Sequence, residues 1–405
     1  MSAVDSAADD VAPSAPDRGR PRLYTVPFIG LCLLTLLAFC QNFTLQPILP
    51  LLVLDLGGDA TLVGLVFLVF SIPSVALRPW IGRLADRLGT RRVLVMGVAG
   101  IAVAGPLYFL PSVASLIGLR VAHGTAWAAL NTGGPSTMAG IVPPSRRGEA
   151  SATFDLMPGL SVLIMPTVAL VLYGAFGLTG PLLVSAILGF ATLAVAVLLI
   201  PASIGGRPAT ASSVGSLLEP TAVLPMLYQL LMNSVLSLFV VYPPLFAAQH
   251  GLPLSDLVVY YPVYGFIFIV SRLVAGRLVD RIPRVTVAIV GATLAGISLV
   301  IAAAATDVAL LTVAGVVYGI ANGASAPATT ALVMDRAPAG RVGAAMATYT
   351  LGFQFGSGLG AAAWGLLIDA GGFMVPFIVG AILEFALLAL VLARRRSLRG
   401  EAVRA

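Results

Sequence analysis

The sequence predicts an all-α polytopic membrane protein of about twelve transmembrane helices, in two six-helix bundles related by a parallel pseudo-twofold repeat. Three observations predict it. Of 405 residues, 59% are hydrophobic and only 10% charged, with a mean hydropathy of +1.01; a soluble domain carries roughly 25% charged residues. Apolar stretches of about 18 residues or more, enough to cross a bilayer, recur about twelve times. A charged motif, Arg78-Pro79-Trp80-Ile81-Gly82-Arg83-Leu84-Ala85-Asp86-Arg87, also returns 194 residues on as Arg272-Leu273-Val274-Ala275-Gly276-Arg277-Leu278-Val279-Asp280-Arg281. Self-similarity over so long an interval marks two similar halves.

In order, residues 1–22 are polar, with Asp5, Asp9, Asp10 and Asp17 before Arg18, Arg20 and Arg22, and read as a disordered tail. The apolar run after them is too long for a signal-peptide core and reads as a retained first span, 23–48. Asp55-Leu56-Gly57-Gly58-Asp59 makes a short loop to span 60–81, which runs into the charged motif, read as a charged hairpin. Spans follow at 93–110, 112–141, 150–173 and 178–201, closing the first bundle, 23–201. Residues 202–219 are small and polar and read as a linker. The second bundle, 220–393, holds spans at 220–246, 254–276, 285–305, 308–334, 343–368 and 373–393. Residues 394–405 form a basic tail beginning Arg394-Arg395-Arg396. The repeat extends beyond the motif: Pro50 maps to Pro244 and Gly57 to Gly251 at the same offset, and Arg146 to Arg341 with one residue inserted.

Arginine placement supplies orientation. Alternate loops receive Arg18 to Arg22, the Arg78–Arg92 cluster, Arg146, Arg147, Arg207, the Arg272–Arg284 cluster, Arg336, Arg341 and the C-terminal run. The opposite loops hold Asp55, Asp59, His250, Asp256, Asp307 and Asp369, with no Arg. This positive-inside bias predicts a cell-membrane protein with both termini cytoplasmic. The net charge of +6 then reflects topology and the lipid bilayer, so no nucleic-acid partner is expected. Cys32 and Cys40 lie about 12 Å apart along one helix, too far for a disulfide. With His123 and His250 as the two histidines, no metal-ligand spacing occurs. No phosphate-binding loop is present either, so no cofactor, metal or catalytic residue is expected, and the chain reads as no enzyme.

Gly82-x-Leu84-Ala85-Asp86-Arg87-x-Gly89-x-Arg91-Arg92 resembles the signature of the loop between helices 2 and 3 in the major facilitator superfamily. Thr90 stands where that family commonly has a basic residue, and Pro283 replaces the second-half Gly. The resemblance implies alternating access between two bundles and a cytoplasmic latch of Arg78, Gly82, Asp86, Arg87, Gly89, Arg91 and Arg92 with Arg272, Gly276, Asp280 and Arg281. Gly82 and Gly276 lack side chains, so helices can approach there. Arg120-x-x-His123-Gly124 is similar to the family's fourth-helix R-x-x-Q-G element, linked there to proton coupling, with His in place of Gln. The fifth-helix signature of drug/proton antiporters is poorly matched around Pro166.

Charges inside spans are functional candidates by default. Arg120 lies about 12 Å into its span, and His123, Gly124, Trp127 and Asn131 follow on one helical face. Asp155 and Glu384 are the two carboxylates inside spans. A desolvated carboxylate can exchange protons near neutral pH, so Asp155, Arg120 and Glu384 are the proton-coupling candidates. For Asp155 the alternative is a structural pair with Arg146 or Arg147. Gln41, Asn42, Gln46, His123, Trp127, Asn131, Gln229, Asn233, Tyr318, Asn322, Tyr349 and Gln354 are candidates for a substrate cavity, since amides and phenols orient organic molecules. Each of these polar groups also suits a helix–helix hydrogen bond. The preferred function is proton-coupled export of a small, mostly apolar organic molecule, a drug or metabolite, by a monomer. The runner-up is proton-linked import of a small metabolite or organic acid, with Arg120 on the carboxylate. A non-transporting membrane sensor is the reading from another class.

Overall fold

The computed structural model describes residues 23–110, 112–202, 219–279, 281–338 and 341–395. Of the expected features, the N-terminal tail, Asp280, nearly all of the linker and most of the basic tail lie outside them.

Six stretches of apolar sequence build the first bundle: α1 (Val26–Asp55), α2 (Ala60–Ala76) continued by α3 (Arg78–Leu88), α4 (Thr90–Leu107), α5 (Val113–Ile141), α6 (Arg147–Phe176) and α7 (Thr179–Leu199). The second bundle comprises α8 (Pro220–Val240) with the short α9 (Pro243–Gln249), α10 (Leu257–Leu278), α11 (Arg284–Ala303), α12 (Val308–Arg336), α13 (Val342–Gly371) and α14 (Met374–Ala393). Eleven of these helices are long and apolar enough to cross a membrane, and α2–α3, bent by 47°, makes a twelfth when the bent pair is counted as one span. Exposed side chains such as Phe190, Leu198, Leu366 and Ile382 are apolar, as contact with lipid requires.

The bend has a local cause. Pro79 has no N–H for the Val75 carbonyl, and its ring crowds that turn. Beyond it the charged motif is a helix and not the hairpin expected from its charge. Ile81 and Ala85 are buried while Asp86 and Arg87 are exposed, so an apolar stripe at helical spacing runs through the charged stretch. Gly89, at φ +92°, makes the turn into α4 alone. In the second copy Gly276 is likewise helical, within α10.

Among the described residues, the main seams between the bundles are α2 to α13, α6 to α10 and α1 to α9. The first closes at the Arg-poor end. There the Asp369 carboxylate accepts hydrogen bonds from Ala60 N (3.2 Å), Thr61 N (2.7 Å) and Thr61 Oγ1 (2.6 Å) at the start of α2. Tyr242 donates nearby to the Ala361 carbonyl at 2.6 Å. Gly365 lets the backbones touch, since a Cβ on it would lie 2.2 Å from the Ala60 oxygen. At the Arg-rich end the expected close approach does not occur. A Cβ on Gly82 or Gly276 would meet nothing within 4 Å, because the halves are closed at the other end and part here.

Candidate functional site

Between the parted halves lies a cavity of about 300 Å³, at the lower end of the range that holds small organic ligands. Each wall follows from helix register. On α5, Arg120, Trp127 and Asn131 face the cavity, at i, i+7 and i+11. His123 and Gly124, between them, turn to α2 and α4: a Cβ on Gly124 would lie 2.2 Å from the Phe70 oxygen. Asn42 and Gln46 line the α1 wall one turn apart, with Gln46 Nε2 donating to Asn42 Oδ1 at 3.4 Å. Asp155 on α6, Asn233 on α8 and Gln354 on α13 complete the expected residues that reach it.

Arg120 is 2% exposed. Its Nε donates to the Val66 carbonyl at 3.1 Å and its Nη1 to the Tyr108 hydroxyl at 3.3 Å. The guanidinium lies 4.1 Å from the Phe70 ring centre and 5.2 Å from that of Phe67, within cation–π range. The Tyr108 hydroxyl is also 2.8 Å from His123 Nδ1. His123 thus positions Arg120 through Tyr108 and does not line the cavity.

Asp155 keeps different company from that expected. Arg146 pairs with Glu149 at 2.6 Å, whereas Asp155 shares the cavity wall with Arg272, with which it forms no salt bridge among the described residues. Arg272, grouped by sequence with the second latch copy, stands on the cavity wall in α10, less than two turns before the helix ends. The two charges belong to opposite halves and lie toward the Arg-rich end.

Other expected residues gather elsewhere. Tyr349 donates to Gln229 Oε1 at 3.0 Å and lies 2.8 Å from Thr329 Oγ1, inside the second bundle. Tyr318 donates to the Met232 carbonyl and receives Asn322 Nδ2 at 2.9 Å. Gln41 and Glu384 are fully buried off the cavity, and neither side chain has a hydrogen-bond partner among the described residues. In the expected latch, Arg78 Nε bonds the Ser74 carbonyl and Arg91 Nε the Ile200 carbonyl. Asp86, Arg87, Arg92 and Arg281 make no cross-bundle ion pair among the described residues. Sequence reasoning missed the aromatic walls, Phe39, Phe43, Phe67, Phe70, Tyr264 and Phe268. In a membrane chain an aromatic residue carries no signal of its own, though Phe39, Phe43 and Gln46 share one face of α1 at helical spacing.

A sequence profile of the Major Facilitator Superfamily matches residues 31–302 and 263–404. The chain is 28% identical over 149 residues to the staphylopine export protein of Staphylococcus aureus, covering 37% of this chain and 38% of that one. It is 39% identical over 109 residues to the multidrug efflux pump LfrA of Mycolicibacterium smegmatis, covering 27% and 21%. The match therefore spans well under half the length of either. A crystal structure of a bacterial homologue of the human lysosomal transporter Spinster, inward-facing and occupied, superposes with a TM-score of 0.76 over 93% of this chain and 98% of that one, at 15% identity, and so shares the fold. Since the profile runs through both halves, from residue 31 to 404, the chain belongs to the Major Facilitator Superfamily and is a membrane transporter, not an enzyme.

Proposed function

We propose that this transporter exports a small, mostly apolar organic molecule in exchange for protons, as a monomer in the cell membrane with both termini cytoplasmic. The observation that carries the reading is that Asp155 and Arg272 line one cavity from opposite halves. Ionised, Asp155 attracts Arg272 and draws α6 and α10 together at the Arg-rich end. Protonated, it exerts no such pull, and the halves are free to part there.

With the Arg-rich end in the cytoplasm, the sign of this device fits antiport. Proton release inside favours closure of the cytoplasmic end and carries substrate outward. Proton capture outside favours return. The residues of the sequence-matched latch, at the same end, close once the outer seam opens, and the halves 23–201 and 220–393 rock about the cavity, joined by the linker 202–219. Two partial relatives named as exporters support the direction.

Inverted membrane vesicles with an acid interior test the reading. Lipophilic organic compounds should accumulate inside, and a protonophore should release them. Expression that raises metabolite uptake into cells, and never lowers accumulation of such compounds, would overturn export.

A further inference from the structure

The cavity wall carries two guanidinium groups, Arg120 and Arg272, against one carboxylate, Asp155. The carboxylate and Arg272 both lie toward the Arg-rich end of the wall. Arg120 is left with neutral partners: a backbone carbonyl, a tyrosine hydroxyl and two phenylalanine faces. Among the described residues it forms no salt bridge. Of its five N–H groups, one on Nε and one on Nη1 are engaged, which leaves three donors in the fork. A buried guanidinium without a counter-charge is costly, and hydrogen bonding to an anion is what its planar fork does best. The remaining wall offers aromatic surface, from Phe39, Phe43, Trp127 and Tyr264, and uncharged amides.

We infer that the substrate is a lipophilic organic monoanion, an aromatic or alicyclic body with one carboxylate or sulfonate head, and that Arg120 holds the head. The inference rests on the cavity being the transport site. It goes beyond that reading by giving the substrate a charge and Arg120 a binding role apart from the proton. One anion completes the charge balance of the wall, whereas a dianion would exceed it and an organic cation would face a net positive surface. The aromatic walls then carry the apolar body, and Phe70 serves both sides, stacking on the guanidinium and facing the cavity.

The test compares matched probes on the purified full-length transporter: 1-naphthaleneacetate, its neutral amide 1-naphthaleneacetamide, and 1-naphthalenesulfonate, each measured by equilibrium binding. Both anions should bind at least about tenfold tighter than the amide. Arg120→Gln should bring the anions down to the level of the amide, and Arg120→Lys should keep part of the preference, with thermal unfolding confirming that each variant is folded. Should Arg120→Gln not fold, a reduced preference in Arg120→Lys carries the same test. Equal or tighter binding of the amide, no saturable binding of either anion, or an Arg120→Gln variant that weakens all three probes alike would overturn the inference. Anion preference without proton-driven export overturns the export reading and leaves this one standing. Export of neutral compounds with no anion preference does the reverse.

Discussion

Asp155 and Arg272 sit on different halves, so the attraction we propose between them would act on the relative position of two bundles and not on one helix. On that proposal a single proton decides whether the force exists. Asp155→Asn keeps the shape and removes the charge, and should abolish accumulation driven by a pH gradient while the protein still folds and binds substrate. Gradient-driven flux at the wild-type rate in reconstituted vesicles would remove Asp155 from the mechanism. At this scale the sequence was half legible. A carboxylate inside a span stands out against 10% charged residues, and Asp155 does line the cavity. Its partner was not legible. Arg146 was the nearer candidate along the chain, but it pairs with Glu149 at the start of α6, while Arg272 approaches from a helix more than a hundred residues away. Gln229, Tyr318, Asn322 and Tyr349 show the limit from the other side. A polar residue in a span looks the same in sequence whether it faces substrate or a neighbouring carbonyl, and these four form hydrogen bonds inside the second bundle.

Among the elements, α13 couples the cavity to the scaffold. Gly352, Gly356 and Gly360 recur every four residues and lay α13 against α8, where a Cβ would come within 2.2 to 2.4 Å of Met226, Leu230 and Ser234. The opposite face forms the seam with α2. Gly356→Leu forces a side chain into backbone and should cost about 1–3 kcal/mol, read as a lower unfolding midpoint in detergent. An unchanged midpoint would mean that α8 moves aside without penalty. The four-residue glycine spacing was available in the sequence and is the signal that would have placed α13 between two helices. The charged motif was harder to read. Its Arg and Asp residues mask Ile81 and Ala85, so composition suggested a hairpin where helical periodicity persists.

For the whole molecule, the informative asymmetry is between its Arg-poor and Arg-rich ends. Asp369 ties α13 to the amides at the start of α2, where the helix dipole favours a carboxylate. At the far end the halves stand apart around Gly82 and Gly276. Opening the Arg-poor side must break the Asp369 bonds. Asp369→Ala should therefore bias the transporter toward that state. Ser237→Cys on the cavity wall, in a background lacking Cys32 and Cys40, should then react several-fold faster with an impermeant maleimide added from the Arg-poor side. Unchanged labelling would show that other contacts hold the seam.

By itself the sequence determined the number of spans, the division into two repeats and the segregation of arginine to one end. Each is a property of segment length or charge counted along the chain, and a bilayer tests those properties one segment at a time. Only the tertiary structure decided which face of each helix meets the cavity, that Arg272 belongs to its wall, and that the Arg-poor end is the closed one. Successive residues turn by about 100° around a helix axis, so a span's burial pattern is settled by the neighbours it packs against. Which end closes depends on how two finished bundles lean together, through contacts such as Asp369 to Thr61, 308 residues apart in the chain.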